Sequence, residues 1–466
     1  MRQKMWCAMA LAVASMAALP ARAQDAELSK IREELRQLRD AYEPRIQALE
    51  KRLQETEAQA GKAEAAANQA AVQASSRPAG EGAFNPAISL ILNGTLGNLQ
   101  RDPDRYRISG FVPTLGEVGP PKRGLSLGES ELVLSANVDH LFRGTLIAAI
   151  APEGGIGIEE AYLQTLGLSK GFSVKAGRFF SSVGYLNETH AHVWDFTDAP
   201  LANKVFLGNQ LGEDGLQIKW VAPTDLYFDL GIELGRGLRF PGGPDGGRSK
   251  NGFGSGNLFA HLGGDIGTST AWRAGASYLR ASPRERSYDD VDSSGTGVSN
   301  SISGRSRLWV LDGVLKWSPN GNPTHNNLKL QGEYFRRTES GSLTYDTQAA
   351  SFGTQSGSYR SKQSGWYAQG VYQFMPQWRV GYRHDRLNAG TTSIDLVSSG
   401  ALTAADFPIF GAYNPKRSTV MLDWSPSEFS RWRLQLARDY SRMGEADNQV
   451  FLQYIMSLGA HGAHKF

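Results

Sequence analysis

The feature that most constrains this chain is a period-two alternation of apolar and polar residues, which runs from about residue 83 to the C-terminus at Phe466. Alternate side chains of a β-strand point to opposite faces, so each alternating segment predicts a strand with one apolar face. Most segments are close to or longer than the roughly 9–11 residues that a tilted strand needs to cross a bilayer. We predict sixteen strands, at 87–97, 125–137, 140–151, 156–166, 171–179, 214–221, 225–236, 256–267, 270–281, 305–318, 325–338, 360–374, 377–388, 416–425, 429–440 and 448–458.

The connections between the predicted strands are sorted by length. Those after even-numbered strands are short, as at 138–139, 268–269 and 375–376, whereas those after most odd-numbered strands are long, as at 98–124 and 180–213. Short turns at one end and long loops at the other are typical of outer-membrane barrels, and a soluble β-sandwich has no physical reason to sort its loops in this way. We therefore predict an all-β transmembrane barrel of about 16 antiparallel strands, in contact with the lipid of a bacterial outer membrane.

The tryptophans indicate which solvent meets the apolar face. Six of them lie within a few residues of the short connections, and where the alternation is clearest they share a strand face with aliphatic residues. Indole rings are enriched at membrane–water interfaces, so a ring of them at one end of the strands favours lipid over a protein core. They are Trp220, Trp272, Trp317, Trp378, Trp424 and Trp432.

The N-terminal region has a different organisation. Arg2 and Lys4 precede a short apolar run that ends in a small-residue cleavage motif, which predicts a secretory signal peptide. Apolar residues then follow a 3-4 heptad spacing between charged residues, which favours a self-associating periplasmic coiled coil, with a solvated amphipathic helix as the alternative. The predicted domains are a signal peptide at 1–23, a coiled-coil segment at 24–74, a linker at 75–86 and the barrel at 87–466.

Composition and motifs bear on several functions. With 49 Lys and Arg against 46 Asp and Glu, the chain lacks the basic excess of a nucleic-acid-binding protein. Cys7, the only cysteine, lies in the signal peptide, which leaves the mature chain without a disulfide, a thiol nucleophile or a cysteine metal site. The sequence has no nucleophile elbow, phosphate-binding loop or paired-carboxylate site in a convincing context. We predict neither an enzyme nor a cofactor.

The inward-facing positions of the predicted strands are polar, as a water-filled lumen requires, because sixteen strands enclose more space than side chains can fill. Acidic residues are concentrated on some strands and basic residues on others, which would create a transverse field across a pore. The alternative is that a wet lumen simply requires polar residues of any kind. The predicted pore-lining residues are Lys175, Lys219, Arg379, Arg383, Arg431, Arg433, Glu129, Glu131, Asp229 and Glu233.

The third long connection, residues 180–213, is the candidate constriction loop. Its charged residues include Asp195, Asp198 and Lys204. His190 and His192 lie two residues apart, and imidazole with carboxylate suits zinc or similar divalent ions. A His-x-His pair is a weak signal, and such histidines also pack against a barrel wall, so a metal site is only one interpretation.

The exported chain, the heptad segment, the sixteen strands and the terminal phenylalanine together resemble the phosphate-selective porin family of bacterial outer-membrane proteins. The resemblance covers nearly the whole mature chain and rests on architecture more than on residue motifs. It implies a homotrimer in which each subunit is a separate pore narrowed by its third long loop. That family selects anions with a dense set of Arg and Lys at the constriction, whereas this loop contains Lys204 alone. A C-terminal aromatic, here Phe466, resembles the signal read by the barrel-assembly machinery.

We expect an outer-membrane porin that allows passive diffusion of small hydrophilic solutes or ions. The alternative is a structural tether or assembly protein that acts through its periplasmic coiled coil. Deletion of residues 25–75 would distinguish them, because a tether would lose its attachment to the envelope whereas a porin would keep its single-subunit pores.

Overall fold

The computed structural model describes residues 86–114, 118–151, 154–242 and 252–459, together with Glu33 and Arg36. The chain divides into two units, Met1–Phe84 and Asn85–Phe466, and all the described strands lie in the second. The predicted signal peptide and the C-terminal Phe466 lie outside the described residues, and so does the predicted coiled coil apart from Glu33 and Arg36.

Strands dominate the described part of the chain. They are β1 Ala87–Leu99, β2 Gly124–Leu127, β3 Ser130–Asn137, β4 Phe142–Ile150, β5 Ile156–Thr165, β6 Phe172–Phe180, β7 Gly212–Val221, β8 Tyr227–Gly235, β9 Ser255–Ile266, β10 Thr270–Ala281, β11 Arg286–Val291, β12 Gly297–Trp317, β13 Asn327–Tyr345, β14 Gln355–Met375, β15 Trp378–Ile394, β16 Lys416–Ser427, β17 Ser430–Asp439 and β18 Asp447–Gly459. Two short α-helices are described, α1 Leu201–Leu207 and α2 Asp395–Ser398. Among the described residues, no helix is long and apolar enough to cross a membrane.

The strands pair antiparallel with their neighbours, and β1 pairs with β18, which closes the sheet into a barrel. β2 and β3 both pair with β1 and form a single crossing of the wall that is interrupted at Gly128 and Glu129. β10 and β11 likewise both pair with β12 and form another single crossing. The barrel therefore has sixteen crossings, and the predicted antiparallel barrel of about 16 strands is confirmed.

Turn chemistry explains the tight connections at the short-turn end. Met375 and Trp378 are register partners, so only Pro376 and Gln377 connect β14 to β15. Proline favours the first central position of a type II turn, and Gln377 has the positive φ, 71°, that the second central position requires. The turn predicted from the sequence was 375–376, one residue earlier than the observed turn.

The outward face of the barrel is apolar and aromatic. Near the short turns, Trp317, Trp424 and Trp432 are each about 40% exposed, and Trp378 stacks on Trp424 with ring centroids 5.9 Å apart. In water, exposure of so many large apolar side chains would be unfavourable, whereas lipid solvates them. A closed barrel also leaves no unpaired strand edge, which is the condition for crossing a hydrocarbon layer.

A second aromatic belt lies farther from the short turns, and the sequence analysis did not identify it. On β12, Trp317 of the first belt and Trp309 of the second are both outward and exposed. Eight residues separate them, which is about 26 Å of strand, or about 20 Å across the wall for a strand tilted by about 40°. This spacing is similar to the thickness of the apolar band of a membrane barrel. The second belt comprises Tyr278, Trp309, Tyr334, Trp366 and Tyr382.

The expectation that inward positions are polar is wrong for part of the lumen. Leu308, Val310, Phe335 and Leu387 point inward from β12, β13 and β15, and each is fully buried in one apolar core inside the barrel. Loop residues from 108–111 and 183–211 complete this core. The reason is that loops which fold into the barrel bring apolar side chains that need an apolar wall to pack against.

Candidate functional site

The connection between β6 and β7, residues 181–211, crosses the inside of the barrel, and we call it the crossing loop. Its hydrogen bonds reach inward-facing side chains on widely separated parts of the wall, on β3, β5, β8, β13, β15 and β17. The predicted constriction loop, 180–213, therefore corresponds to a segment that lies within the lumen.

Helix α1 anchors the crossing loop in the apolar core. All seven of its residues are buried, and it ends at Gly208, whose φ of 63° is the left-handed conformation that helix ends favour. The Phe206 ring stacks on Phe335 of β13, with centroids 5.8 Å apart. The helix is thus fixed by packing, although seven residues are too few for a helix that is stable by itself.

Wall carboxylates hold the backbone of the crossing loop. Glu233 Oε1 accepts a hydrogen bond from the Ser182 N–H at 2.8 Å, and Glu333 Oε1 accepts one from the Leu186 N–H at 2.8 Å. Both glutamates are about 95% buried or more. Asp385 acts in the same way by accepting from the Leu201 N–H, and Glu160 accepts from the N–H of Phe180, the last residue of β6 before the loop.

Gly184 lets the crossing loop approach Glu333. Its φ of 72° lies in the left-handed region, and a Cβ at this position would be 2.9 Å from Glu333 Oε1. A larger residue would therefore strain the backbone and displace the carboxylate that receives the loop amides.

Asp195 connects the crossing loop to one basic part of the wall. Its carboxylate lies 3.0 Å from Lys329 Nζ and 3.2 Å from Arg379 Nη1, and it accepts a hydrogen bond from Gln369. Burial by itself would raise the pKa of Asp195, but Lys329 and Arg379 outweigh burial and hold this pKa well below its usual range. Asp195 is therefore charged and neutralised by the wall.

Asp198 forms a second and more deeply buried node. It contacts Arg417, and it lies 3.2 Å from Arg383 Nη2 and 3.3 Å from Lys204 Nζ. Burial opposes the charged form, but Arg417, Lys204 and Arg383 together hold the pKa of Asp198 well below its usual range. One loop carboxylate thus compensates three buried cations.

The arginines predicted to line the pore face inward, but the crossing loop and other wall residues satisfy them. Arg383 and Arg433 are about 1% exposed. Arg433 donates to the Trp194 carbonyl at 2.7 Å and to Asp423 at 2.8 Å. Arg431 donates to the carbonyl of His192. These side chains therefore fasten the loop as well as lining the wall.

The other predicted wall residues lie on the opposite side of the lumen. Lys219 Nζ is 3.4 Å from Asp229, which also contacts His261 Nδ1 at 2.7 Å. Lys175 lies over the Tyr162 ring. Glu129 lies at the interruption between β2 and β3, close enough to Glu131 and Glu159 for their charges to interact.

The two loop histidines meet an acidic part of the wall. His192 Nδ1 is 2.9 Å from Glu131 Oε1, and His190 Nδ1 is 3.2 Å from Glu131 Oε2. His190 also contacts Glu159 and Glu160. Burial would lower the pKa of His190, but the surrounding glutamates outweigh burial and raise this pKa well above its ordinary value.

Three cavities surround residues 185–193 of the crossing loop. One of about 370 Å³ is lined by basic residues of β12, β13, β15 and β17. Another of about 640 Å³ is lined by Glu131, Glu160 and the two histidines. The third, of about 510 Å³, lies beside Asp229 and Arg273. Basic residues outnumber acidic ones around the first cavity, whereas Glu131, Glu160 and Glu188 outnumber Arg143 and Lys175 around the second, and the two cavities meet at Thr189 and His192.

The candidate site also contains Arg417, which sequence analysis did not select, and Glu333, which the alternation on β13 places inward. Arg417 and Glu333 are both buried and both bind the crossing loop. The inward position of Arg417 could have been read from the alternation on β16. The loop residues that contact Arg417 and Glu333 could not, because such contacts join positions more than 140 residues apart.

No protein-family model matches the chain. Among solved structures, a loop-deletion mutant of OmpT, an outer-membrane protein of Vibrio cholerae, is 10% identical with a TM-score of 0.48 and covers 80% of this chain and 99% of that chain. OprB of Pseudomonas putida is 12% identical with a TM-score of 0.44, covering 80% and 94%. An anion-selective porin from Comamonas acidovorans is 11% identical with a TM-score of 0.43, covering 80% and 99%.

Sequence similarity is much stronger to a protein of the bacterium Aquifex aeolicus, which carries the description "Uncharacterized protein". The two sequences are 32% identical over 425 residues, which is 84% of this chain and 81% of the other. Identity of this level over most of both chains requires a common fold and a common origin. The chain belongs to the same protein family as this Aquifex aeolicus protein.

Proposed function

We propose that this protein is an outer-membrane porin that allows small hydrophilic solutes or ions to diffuse passively across the membrane. The observation that carries the proposal is a closed sixteen-crossing barrel with polar cavities around a loop that lies inside it. A barrel of this size encloses more space than wall side chains can fill, and here loop residues occupy part of that space. The resemblance to phosphate-selective porins stays a prediction.

In this proposal the crossing loop is the constriction. It occupies the lumen between walls that lie far apart, and the buried nodes at Asp195 and Asp198 keep it in place. Because apolar packing fills part of the lumen on the β12–β15 side, we infer a narrow pathway that follows the polar cavities near the short turns.

The charges around the cavities would act on a permeating ion. Lys316, Lys329, Arg379 and Arg431 line the cavity of about 370 Å³, whereas Glu131 and Glu160 line the cavity of about 640 Å³. Opposite signs on two sides of one loop produce a transverse field, and low-dielectric walls strengthen it. The proposed solutes are therefore small and polar or charged.

The outward surface supports a homo-oligomer, which the family resemblance predicts to be a trimer. The outward positions of β1 to β6 carry mainly aliphatic and small residues; the exceptions include Phe142, Phe172 and Arg178, and none is Trp or Tyr. An apolar groove of about 430 Å³ crosses this face beside Gly144, Ala161 and Ala176. Small residues allow close approach of a second copy, and a face buried by another subunit needs no interfacial aromatic belt.

The test is planar-bilayer recording from the refolded mature chain under a salt gradient. Discrete conductance steps with a reproducible reversal potential are expected, and the sign of that potential would report which group of charges dominates. The absence of steps from a barrel shown to be folded by heat-modifiable gel migration would overturn the channel and favour the tether.

A further inference from the structure

The two histidines of the crossing loop face buried glutamates on β3 and β5. We propose that Glu131, His190 and His192 form a binding site for a divalent transition-metal ion of the zinc class. One donor atom from each residue lies within 4.8 Å of the other two. Two imidazoles and a carboxylate are a donor set that suits zinc and leaves a further coordination position open.

The donor spacing already resembles that of a bound metal. His192 Nδ1 to Glu131 Oε1 is 2.9 Å, His190 Nδ1 to Glu131 Oε2 is 3.2 Å, and His190 Nδ1 to Glu159 Oε2 is 3.4 Å. Ligands placed about 2.0–2.1 Å from a tetrahedral zinc lie about 3.3 Å from one another. Small side-chain movements would therefore complete the site, and Glu159 could supply its fourth ligand.

Unsatisfied polar atoms point into the same space. Glu131 is 99% buried, and its Oε2 and Glu159 Oε2 both face the single His190 Nδ1, at 3.2 Å and 3.4 Å, without a hydrogen bond of good geometry at any of the three atoms. Two buried carboxylate oxygens that share one imidazole nitrogen are incompletely satisfied. A cation at this position would satisfy all three atoms together.

Glu160 is placed to orient one of the proposed ligands. Its Oε2 lies 3.0 Å from His190 Nε2, and its Oε1 accepts a hydrogen bond from the Phe180 N–H at 3.0 Å. A carboxylate that accepts from the far nitrogen of a metal-bound imidazole leaves the near nitrogen free to bind metal. The backbone bond to Phe180 fixes Glu160 in turn.

Metal binding at this site would be a property additional to the passive diffusion proposed above. His190 and His192 line the cavity of about 640 Å³, so an ion could reach them from the solvent-filled part of the lumen. A bound ion would join the crossing loop to β3 and β5. It would hold the loop against the wall and add positive charge to that cavity.

The test is titration of the folded, detergent-solubilised full chain with zinc chloride, followed by competition with a chromophoric chelator. His461 and His464, near the C-terminus, are a second closely spaced histidine pair and could bind zinc themselves. We expect one zinc per chain in a background in which both are replaced by Ala. Glu131→Gln and the double variant His190→Ala/His192→Ala should each weaken binding at least tenfold. Glu159→Gln, a milder change, should weaken it less.

His261→Ala is the matched control, because His261 also contacts a lumen carboxylate, Asp229, and has no second histidine beside it. It should leave zinc binding unchanged. Equal zinc affinity in the parent and in folded Glu131→Gln and His190→Ala/His192→Ala chains would overturn the site. Because binding is measured without conductance, this outcome is independent of whether the barrel is a channel.

A separate observation concerns the outer surface at the second aromatic belt. Seven strands each carry an exposed Arg or Lys at an outward position just beyond this belt, on the side away from the short turns. None of the seven strands has an Asp or Glu at an outward position. The basic collar comprises Arg280, Arg307, Arg336, Lys362, Arg386, Lys416 and Arg438.

The register brings like charges together within the collar. Arg280 is the direct cross-strand partner of Arg307, and Arg386 is the direct partner of Lys416. Like charges directly opposite each other destabilise a sheet unless an anion lies between them. We infer that the collar binds the phosphate groups of lipids whose headgroups lie at this edge of the barrel, since Arg and Lys favour phosphate at a membrane interface.

The test is native mass spectrometry of the folded chain in detergent with phosphatidic acid or phosphatidylcholine added. The parent should retain phosphatidic acid preferentially. Arg280→Gln/Arg307→Gln/Arg386→Gln/Lys416→Gln should lose that preference, and a control with four exposed basic residues elsewhere changed to Gln should keep it. Equal retention of both lipids by the parent, or an unchanged preference in the collar variant, would overturn the inference. The control residues are Arg105, Arg123, Arg143 and Lys170.

Discussion

At the scale of single residues, Asp198 shows why the inward charges of this barrel are paired. Three cations, Lys204, Arg383 and Arg417, are buried around it, and each is about 2% exposed or less. A buried cation without a counter-charge costs several kcal/mol, so the loop carboxylate and the wall cations stabilise each other's burial. Asp198 is therefore one of the contacts that hold the crossing loop in position, together with Asp195 and the wall carboxylates that bind the loop backbone.

Replacing Asp198 by Asn should destabilise the folded chain by about 3–5 kcal/mol, the usual cost of removing one partner of a buried ion pair. The amide keeps the size of the side chain and removes its charge. Urea unfolding in detergent, followed by tryptophan fluorescence, measures the change. Asp104→Asn, at an exposed loop aspartate, is the control and should be neutral. Equal stability of the parent and Asp198→Asn chains would contradict the pairing of Asp198 with the buried cations.

Acid should weaken the same nodes. The pKa values of Asp195 and Asp198 are lower in the folded chain than their ordinary value of 3.8. Their contribution to stability is therefore complete above about pH 4 and is lost as the pH falls below that value through the folded pKa values. We expect the contribution of these two residues to the midpoint of urea unfolding to be constant from pH 7 to pH 5 and to fall on further acidification. Asp198→Asn should show a smaller fall, and an identical acid dependence would count against this assignment.

At the scale of elements, the crossing loop is an insertion between two strands that already meet. Phe180 and Gly212 are register partners at the ends of β6 and β7, so a short linker can close the gap between them. The loop is nevertheless in contact with much of the wall. The crossing loop determines how much of the lumen is filled, whereas the strands determine the barrel itself.

Replacing residues 183–207 by a short Gly-Ser linker should raise single-channel conductance severalfold, because the proposed constriction is removed and the wall is left in place. Removing residues 293–296, at the tip of the β11–β12 hairpin, is the control and should change conductance little. Unchanged conductance in the shortened chain, with the barrel folded, would show that the constriction lies elsewhere.

Neutralising the basic cavity should move ion selectivity towards cations. Arg431→Gln with Lys316→Gln removes two positive charges that line the cavity of about 370 Å³. The reversal potential under a salt gradient should shift in the direction of cation permeation. Arg105→Gln, on the exposed surface, should cause no shift. A shift of the opposite sign would mean that ions follow a different path.

At the scale of the whole molecule, the outer surface has two arcs. Aromatic belts and the basic collar occupy the arc from β10 to β17, whereas β1 to β6 present mainly aliphatic and small side chains, without Trp or Tyr. The first arc has the features of a surface that meets a membrane interface, and the second has those of a protein contact.

The division of the outer surface into two arcs predicts how a larger side chain on each arc affects formation of the homo-oligomer. Ala161→Phe, in the groove on β5, should remove the oligomer, because it blocks close approach of a second subunit. Ala368→Phe, at an outward position of β14, is the matched control and should have no effect, because lipid accommodates the ring. Analytical ultracentrifugation in detergent measures the mass, and it should also be done on a chain without residues 25–75, so that the predicted coiled coil cannot hold subunits together. An unchanged mass for Ala161→Phe would place the contact elsewhere.

Most of the barrel could be predicted because its signals are local. A strand that separates lipid from a polar interior must alternate residue by residue, and the order of short and long connections follows from crossing the membrane and returning. The sixteen crossings could therefore be identified from the sequence, as could the inward positions of Arg383, Arg433 and Glu233. Boundaries were less accurate on β12 to β15, because these strands continue well beyond the membrane, where lipid no longer imposes the pattern.

The sequence by itself determined the barrel architecture. The alternation of apolar and polar residues within each strand indicates which face meets lipid and which faces the interior. Only the tertiary structure decided what fills the lumen. The apolar core around Phe206 and Phe335, the three cations around Asp198 and the meeting of His190 with Glu131 join residues that are far apart in the chain. No sequence period or motif predicts such contacts, because they depend on how one loop folds across the inside of a closed barrel.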